Sequence, residues 1–332
     1  MHESLDPTLA AALDEPLGPP PVPLFDIHMH SGTLEATADY VKAARLYGVD
    51  RACNLPLGGL SEAMADRFGD FFLPCAWPRI DRDPANAIDW DHFHSTWIDA
   101  FQRLLDAGIR YFKFKLAPSD GPPNGLWLDD ARIAPLLDRC AAEGILVQVH
   151  AAQPDCWWPG HYDPAVCGPK QAYLDQLERV LANHPTLKVL SVHMGSNPEH
   201  LDYLARLMDT YPGYHIDTSA TKWVVRELSA RPEAARAFFL RYSDRICFGS
   251  DLVVRDGLDF TYYTSRFHVQ RMMWETDART VSMIRDPDAP PGGPHLRGLA
   301  LPGDVLARLY RANAERLLGE RQAGGAAAVP RA

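Results

Sequence analysis

Two histidines that flank a single residue give the clearest chemical signal in this sequence. The run at residues 24–30 alternates apolar and polar side chains and ends in His28 and His30. Side chains two positions apart on a β-strand point to the same face, so we expect Asp26, His28 and His30 to project together. Two imidazoles on one strand face can bind a divalent metal ion. The pair therefore predicts a metal site.

A second histidine pair with the same spacing, His92 and His94, lies in a different context. The surrounding segment, residues 89–105, has the apolar periodicity of an α-helix. Residues two apart on a helix point in directions about 200° apart. These two imidazoles are therefore not expected to bind one ion.

Three other apolar runs end in side chains that commonly bind metals. The runs 144–150 and 187–193 end in His150 and His193, and the run 245–251 ends in Asp251. Segments with helical periodicity separate these runs, and this alternation indicates parallel β-α-β units. In a barrel of parallel strands all carboxyl ends lie at one mouth, which would bring the ligands together.

The order of elements predicts the α/β class and a single-domain (β/α)8 TIM barrel over residues 23–319. Eight strand candidates begin near residues 24, 50, 71, 109, 145, 187, 213 and 245. Helices are predicted over 35–48, 88–107, 129–144, 170–183, 197–211 and 220–242. An open doubly wound sheet is the alternative, but no glycine-rich phosphate-binding turn follows the first strand.

The strand ends resemble the amidohydrolase superfamily, in its second large branch of metal-dependent hydrolases and decarboxylases. The resemblance runs from about Leu24 to Gly319 and is carried by residues 26–30, 150, 193–195, 248–251 and 301–318. It implies one catalytic divalent metal, most often zinc, with Mn²⁺ or another divalent ion as the alternative. The ligands that it implies are His28, His30, His150 and Asp251.

Two of the strand-end residues have roles that stay open. Asp251 is expected to be a ligand and also the base that takes a proton from water, whose pKa a bound zinc ion lowers from 15.7 to about 7. His193 is expected to be either a further ligand or a proton donor beside the substrate carbonyl.

The fourth strand carries two lysines. Alternation over residues 109–116 places Tyr111, Lys113 and Lys115 on one face and apolar side chains on the other, so we expect both lysines to point into the barrel. A buried lysine needs an anion. Three partners are open: a carboxylate of the barrel, a substrate carboxylate, or two metal ions bridged by a carbamylated lysine, as in some members of the superfamily.

The loop after the fifth strand contains the adjacent tryptophans Trp157 and Trp158. Exposed tryptophans are unfavourable unless they cover something, so we predict that they form a pocket wall over an apolar or aromatic substrate. Packing on the rim or on a partner subunit is the alternative. Arg266, with Trp223 and Tyr262, is a weaker candidate for contact with a substrate carboxylate or ring.

Composition argues against several classes of function. The formal charge of −10, without a basic stripe, argues against nucleic acid and anionic membranes as partners. No run approaches the roughly 18 apolar residues of a membrane span, and the start of the chain lacks the pattern of a secretory signal. The six cysteines have no framework spacing, which favours free thiols in a reducing cytoplasm.

The two ends are predicted to lie outside the barrel. Residues 1–22 form a proline-rich arm and residues 320–332 a flexible tail. Such an arm can also pack on a neighbouring subunit, so a homo-oligomer stays open.

Together these features predict an enzyme that acts on a small molecule. The favoured reaction is hydrolysis of an amide, ester or lactone bond by metal-activated water. The alternative is non-oxidative decarboxylation of an aromatic or unsaturated acid. A catalytically silent barrel that binds metabolites or partners is a third hypothesis, and the complete ligand set argues against it.

Overall fold

The computed structural model describes residues 17–55, 61–83, 87–118, 125–158 and 160–319. Of the predicted N-terminal arm, residues 17–22 are described, and they pack on the barrel. Gly18 O accepts a hydrogen bond of 2.6 Å from Nη2 of Arg271. The rest of the arm and the predicted tail at 320–332 lie outside the described residues.

Parallel strands follow one another along the chain with helices between them. They are β1 (Leu24–His30), β2 (Val49–Asn54), β3 (Phe72–Pro74), β4 (Tyr111–Lys115), β5 (Leu146–His150), β6 (Lys188–Ser191), β7 (Tyr214–Asp217) and β8 (Ile246–Cys247). A short β9 (Leu252–Val253) continues the path of β8 and pairs with β1. Each strand begins within about two residues of the position that the periodicity predicts.

Backbone hydrogen bonds join these strands into a ring. The strands form two parallel sheets, β3-β2-β1-β9 and β4-β5-β6-β7-β8. Ala76, just beyond β3, donates to the Tyr111 carbonyl at 2.9 Å and accepts from the Lys113 amide at 2.8 Å. On the other side, the Ile27 amide donates to the Phe248 carbonyl at 3.0 Å. The predicted (β/α)8 barrel is confirmed.

The helices surround this ring. They are α1 (Leu34–Leu46), α2 (Ser61–Phe68), α3 (Asp99–Asp106), α4 (Ala134–Glu143), α5 (Pro164–Cys167), α6 (Lys170–Asn183), α7 (Leu201–Thr210), α8 (Thr221–Ala230), α9 (Pro232–Arg241), α10 (Phe260–Glu275), α11 (Gly303–Ala307) and α12 (Asn313–Leu318). A hairpin of β10 (Arg279–Val281) and β11 (His295–Arg297) follows α10. Wider π-helical turns precede α3 at His94–Ile98 and α12 at Arg308–Ala312.

One predicted helix is two helices in the structure. The sequence predicts a single helix over 220–242, but α8 ends at Ala230 and α9 begins at Pro232. Proline lacks an amide hydrogen and its ring clashes with the preceding helical turn. Arg231 before it has φ −139° and ψ 63°, because the residue before proline is pushed out of the helical region.

The hydrophobic core has a layer between strands and helices and a smaller layer inside the ring. In the outer layer, Phe112 and Phe114 of β4 lie against Phe101 of α3, with ring centroids 4.3 and 4.8 Å apart. On the opposite face of β4, the Tyr111 hydroxyl donates to the Ile27 carbonyl across the ring at 3.2 Å. The predicted alternation of β4 is therefore confirmed.

Strand β1 departs from simple alternation at the histidine pair. Asp26 pairs with Ala52 of β2 and Met29 pairs with Asn54, so β1 advances three residues where β2 advances two. This extra residue is a β-bulge. The Asp26 carboxylate therefore points towards α1, where it accepts a 2.8 Å hydrogen bond from Oη of Tyr40. The prediction that Asp26 shares a face with His28 and His30 is wrong, because the bulge reverses the alternation.

Among the described residues, all six cysteines are free thiols, four of them buried. The described helices contain none that is long and apolar enough to span a membrane.

Candidate metal centre and active site

The ends of β1 and β8 bring three metal-ligating side chains together. Oδ1 of Asp251 lies 3.2 Å from Nε2 of His28 and 3.3 Å from Nε2 of His30. The two imidazoles are buried, whereas the Asp251 side chain is 24% exposed. The ligand atoms of all three lie within 4.8 Å of one another. One ion could therefore contact the three side chains and still be reached from the barrel mouth.

The ends of β5 and β6 add two more imidazoles. Nε2 of His193 lies 3.8 Å from Oδ2 of Asp251, and the rings of His150 and His193 are 4.6 Å apart. Nε2 of His150 is buried without a hydrogen-bond partner among the described residues. A buried polar atom without a partner is unfavourable, and a metal bond would satisfy it. The donor set thus fits a divalent ion.

The backbone turns sharply just after the strands that carry these side chains. Among the described residues, six non-glycine residues have positive φ, and five of them follow β6, β7 or β8. His193 has φ 57° and Asp251 has φ 53°. Such conformations are unfavourable for residues with a Cβ atom and cluster at functional sites. Here they turn His193 and Asp251 into the mouth of the barrel.

Asp217, the last residue of β7, and Ser219 just after it position the imidazole rings of His28 and His193. Nδ1 of His28 lies 3.0 Å from Oδ2 of Asp217 and 3.0 Å from the hydroxyl of Ser219. Nδ1 of His193 lies 2.7 Å from the same hydroxyl, which itself donates to Oδ1 of Asp217. A partner at Nδ1 fixes the ring orientation and leaves Nε2 available for an ion.

Asp26 positions Asp251 through Ser250, the residue that precedes Asp251. One carboxylate oxygen of Asp26 accepts the Ser250 amide at 2.9 Å, and the other accepts the Ser250 hydroxyl at 2.5 Å. The Asp251 amide donates to the His28 carbonyl at 2.7 Å. Asp26 is therefore a positioning residue that joins β1, α1 and the end of β8.

The protonation states suit metal binding. Burial, together with the nearby Lys113 ammonium, lowers the pKa values of His28 and His30 from 6.5 to about 3. Burial alone would raise the pKa of Asp251, but the facing imidazoles hold it well below its usual value. Neutral imidazoles and an ionised carboxylate are the forms that bind divalent metals. Burial raises the pKa of the positioning residue Asp26 from 3.8 to about 6.

The two lysines of β4 occupy different environments. Nζ of Lys113 is 2.9 Å from Nε2 of His28 and 3.4 Å from Nε2 of His30. Lys113 is 2% exposed, and burial lowers its pKa from 10.5 to about 8. Lys115 lies one step nearer the mouth, is half-buried, and lines a small cavity beside the ligands. Lys113 thus lies among the ligand atoms and Lys115 beside them.

Tryptophans lie on two sides of the ligand set. The Trp77 ring lies 5.5 Å from the His30 ring, and the Trp223 ring lies 5.4 Å from the His193 ring. Trp157 lies 6.4 Å from Trp223, and Oδ2 of Asp288 holds its indole nitrogen at 2.9 Å. Trp157 therefore extends an aromatic wall that begins beside His193.

Two predicted substrate contacts lie outside the described ligand cluster. Trp158 donates to the Gly168 carbonyl at 3.0 Å and packs on Tyr173 at 5.5 Å, in a separate hydrophobic cluster. The Arg266 guanidinium of α10 lies 3.6 Å from the centre of the Tyr262 ring.

The second histidine pair stays apart from the site. Nδ1 of His92 pairs with Asp89 at 2.9 Å, and Nδ1 of His94 pairs with Asp99 at 3.2 Å. Each imidazole is exposed and has its own carboxylate. The two imidazoles share no partner among the described residues, as expected. The reason differs from the prediction, because the helix predicted over 88–107 begins only near residue 93 and His92 lies in the turn before it.

Asp217, Ser219 and Trp77 lie in the site but were not predicted from the sequence. Asp217 could have been found, because it ends a buried strand just as Asp251 follows one. Trp77 lies two residues after Cys75, beyond the very short strand β3, and no periodic pattern marks it. Ser219 could not be recognised, because its role depends on two imidazoles from other strands.

Comparison with known proteins identifies the family. The sequence profile of the family described as Amidohydrolase matches residues 60–319, which is most of the chain. The chain belongs to the amidohydrolase family. This confirms the resemblance that the strand ends carry. A search of curated proteins gave no significant match.

Solved structures support the same fold for this amidohydrolase. A TIM-barrel protein of Bordetella bronchiseptica is 17% identical, with a TM-score of 0.54 over 90% of this chain and 99% of its own. A protein of Agrobacterium tumefaciens is 14% identical, with a TM-score of 0.51 over 92% and 98%. The 4-oxalomesaconate hydratase of Rhodopseudomonas palustris is 14% identical, with a TM-score of 0.50 over 90% and 96%. At these identities the likeness concerns the fold alone.

Proposed function

We propose that this amidohydrolase is a metal-dependent hydrolase of an amide, ester or lactone bond in a small organic substrate. The observation that supports this best is the position of Asp251. Its Oδ1 lies 3.2 and 3.3 Å from the Nε2 atoms of His28 and His30, and its Oδ2 lies 3.8 Å from Nε2 of His193. One carboxylate thus has an oxygen for a metal and an oxygen for proton exchange.

The residues that would hold the metal are His28, His30, His150 and Asp251. Three nitrogens and one carboxylate favour zinc, with Mn²⁺ as the alternative. When bound, such an ion supplies Lewis acidity, which lowers the pKa of water towards about 7 and polarises a carbonyl.

The remaining chemistry belongs to the side chains. Asp251 accepts the proton of the attacking water through Oδ2. Nδ1 of His193 donates to the Ser219 hydroxyl at 2.7 Å, so its Nε2, 3.8 Å from Oδ2 of Asp251, takes up that proton from Asp251 and passes it to the leaving group. Lys113 and Lys115 bind a substrate carboxylate. Trp157 contributes the aromatic outer wall next to Trp223. Trp158 and Arg266, which lie outside the ligand cluster, would contact only a part of the substrate that extends away from the metal.

Decarboxylation of an aromatic or unsaturated acid is the second candidate, and the position of Lys113 favours it. Its ammonium lies 2.9 Å from Nε2 of His28, where it would draw a substrate carboxylate directly to the ligand set. In a hydrolase the same carboxylate would bind further away, towards Lys115. The two reactions therefore differ in which substrate group meets His28 and His30.

Turnover of a substrate panel of esters, lactones, amides and aromatic acids in ¹⁸O-labelled water distinguishes the two reactions. We expect ¹⁸O in one carboxylate of the product, because hydrolysis adds an oxygen from water to the carbonyl carbon. Release of carbon dioxide without incorporation of label would overturn the hydrolase proposal in favour of the decarboxylase.

A further inference from the structure

One face of α8 contacts the loop that carries Trp157. Trp223 and Arg226 lie three positions apart on this helix, so their side chains share a face. The Trp223 ring lies 6.4 Å from the Trp157 ring, and Nη2 of Arg226 donates to Sγ of Cys156 at 3.2 Å. Two consecutive residues of the loop after β5 are therefore held by two residues one turn apart on α8.

Arg226 also forms a buried ion pair with the loop of the β10–β11 hairpin. Its Nη1 donates to Oδ2 of Asp286, and the two side chains are only 7% and 0% exposed. The cost of removing two charges from water offsets most of their attraction, so a buried pair often adds no stability over apolar packing. What this pair does provide is a fixed position of the hairpin loop relative to α8.

The hairpin loop returns to Trp157 through Asp288. The Asp288 amide donates to Oδ1 of Asp286 at 3.1 Å, so the carboxylate that pairs with Arg226 also orders the turn that carries Asp288. Oδ2 of Asp288 accepts the indole hydrogen of Trp157 at 2.9 Å. Hydrogen bonds to an ionised acceptor are stronger than those between neutral groups. The contacts thus run from α8 through the hairpin loop to the indole.

Asp155, two residues before Trp157, is held from a third direction. Its amide donates to Oε1 of Glu199 at 2.8 Å, and its Oδ1 accepts from Nζ of Lys170 at 2.6 Å. Glu199 follows β6, whereas the contacts of Cys156 and Trp157 come from α8 and from the hairpin loop. Three consecutive residues of the loop after β5 are therefore fixed by three different parts of the chain.

The position of the indole gives these contacts a role in binding. The Trp223 ring lies 5.4 Å from the ring of His193, and Trp157 lies next along the same wall. An aromatic side chain that is already held in place loses little further freedom when a ligand packs on it. Such a ring distinguishes ligands by the distance between their apolar group and their reacting group.

We propose that Asp288 and the buried Arg226–Asp286 pair are positioning residues for Trp157, and that the position they impose sets a preference for substrates with an aromatic group at one distance from the reacting carbonyl. The preference rests on the proposed function, because it assumes that the substrate binds at the metal ligands. The positioning does not depend on that function and can be measured without turnover.

The indole hydrogens report the positioning. The chain has eight tryptophans, and in a ¹H–¹⁵N spectrum of the full chain the indole signal lost in Trp157→Phe is that of Trp157. Asp288→Leu should shift this signal, whereas Asp288→Asn, whose amide oxygen can still accept, should shift it less. The signal of Trp158, assigned with Trp158→Phe, should stay in place, because its indole donates to the Gly168 carbonyl. An unchanged Trp157 signal in Asp288→Leu would overturn the positioning by Asp288.

The same signal tests the ion pair, which does not touch the indole. Arg226→Met should shift the Trp157 signal, and Arg226→Lys, which keeps the charge, should shift it less. Arg206→Met removes an arginine that pairs with Glu178 elsewhere on the barrel and should leave the signal unchanged. If Arg226→Met does not fold, Asp286→Asn replaces it, because this change keeps the shape of the side chain. A Trp157 signal unmoved by the folded variant would overturn the role of the pair.

Phosphonates measure the preference. Methylphosphonate and its phenylalkyl homologues, from benzyl to 4-phenylbutyl, share a head group that can bind zinc and differ in the reach of the ring. We expect at least one homologue to bind zinc-loaded protein about 10-fold more tightly than methylphosphonate, as measured by calorimetry. That advantage should fall about 3-fold or more in Asp288→Leu and be retained in Asp288→Asn, while methylphosphonate binds all three proteins alike.

Equal binding of all the phosphonates, or binding of none, would overturn the preference. An advantage of the ring that is the same in Asp288→Leu as in the unaltered chain would also overturn it. The ¹⁸O experiment uses the unaltered chain and different compounds, so it decides the proposed function separately. The indole signals, which need neither zinc nor substrate, decide the positioning whichever reaction that experiment supports.

Discussion

At the scale of single residues, the two His-x-His pairs of this chain show that a motif acquires its chemistry from its element. Nε2 of His28 and Nε2 of His30 share a neighbour, Oδ1 of Asp251, at 3.2 and 3.3 Å. His92 and His94 are exposed and pair with separate carboxylates. The first pair is on a bulged strand that brings both rings into the barrel.

Metal content tests this difference directly. Protein purified without chelator should contain about one equivalent of a divalent metal, and His30→Gln should lose most of it because a ligand nitrogen is gone. His92→Gln changes the same residue type in the same spacing and should retain the metal. Metal analysis by mass spectrometry measures all three. Full activity in a metal-free preparation would contradict the site.

The proton-accepting role of Asp251 predicts a large loss of turnover. Asp251→Asn keeps the shape of the side chain but removes its charge and basicity, so turnover should fall about 100-fold or more while the fold is retained. Asp66→Asn, at an exposed position, is the control. Steady-state kinetics measures turnover, and circular dichroism shows whether the fold is retained. Wild-type turnover in Asp251→Asn would remove this residue from the mechanism.

The hydroxyl of Ser219 predicts an effect on metal affinity. It contacts Nδ1 of His28 at 3.0 Å and Nδ1 of His193 at 2.7 Å. Ser219→Ala should weaken zinc binding about 10- to 100-fold, as loss of a partner behind a metal ligand commonly does. Ser265→Ala removes an equally buried hydroxyl that bonds only within α10. Chelator competition should show unchanged affinity in that control; a similar loss in both would refute a specific role.

At the scale of elements, periodicity predicted the strands well and failed at local irregularities. The faces of β4 follow from alternation alone, since Phe112 and Phe114 face α3 and Lys113 faces the ligands. The bulge in β1 was not predictable, because apolar and polar residues alternate without interruption over 25–30. Its cause lies in partners distant in sequence, chiefly Tyr40 and Ser250 around the Asp26 carboxylate.

The packing of α3 against β4 predicts that Phe101 contributes strongly to the stability of the fold. Phe101 is fully buried and stacks 4.3 Å from Phe112. Phe101→Ala should lower the free energy of unfolding by about 3–5 kcal/mol, because it removes apolar burial and leaves a cavity. Leu46→Ala, at a 45% exposed position, should change it far less. Chemical denaturation measures both, and similar losses would contradict this packing.

At the scale of the whole molecule, closure of the barrel brings side chains from the ends of β1, β5, β6 and β8 together in one site. His28, His150, His193 and Asp251 are far apart in sequence, and only their position at strand ends predicted that they meet. The exact neighbours could not be predicted, because they depend on how far each strand end turns. His193 and Asp251 reach the ligand cluster because their backbones have positive φ angles. The periodicity of apolar residues gives no information on such angles.

The closed barrel also buries titratable groups away from the mouth, and His215 of β7 predicts an acid-dependent loss of global stability. Burial lowers the pKa of His215 from 6.5 to about 4, so folding favours its neutral form. Between those pH values the unfolded chain binds more protons than the folded chain, and stability therefore falls as pH falls. At pH 4, the contribution lost is on the order of 3 kcal/mol.

Relative to His215→Gln, which cannot titrate, the unaltered chain should become progressively less stable from about pH 6.5 to about pH 4. Ile216→Val, a neighbouring buried change without a titrating group, should differ from the unaltered chain by the same amount at every pH. Urea denaturation across this range measures the differences, and a pH-independent gap for His215→Gln would refute the prediction.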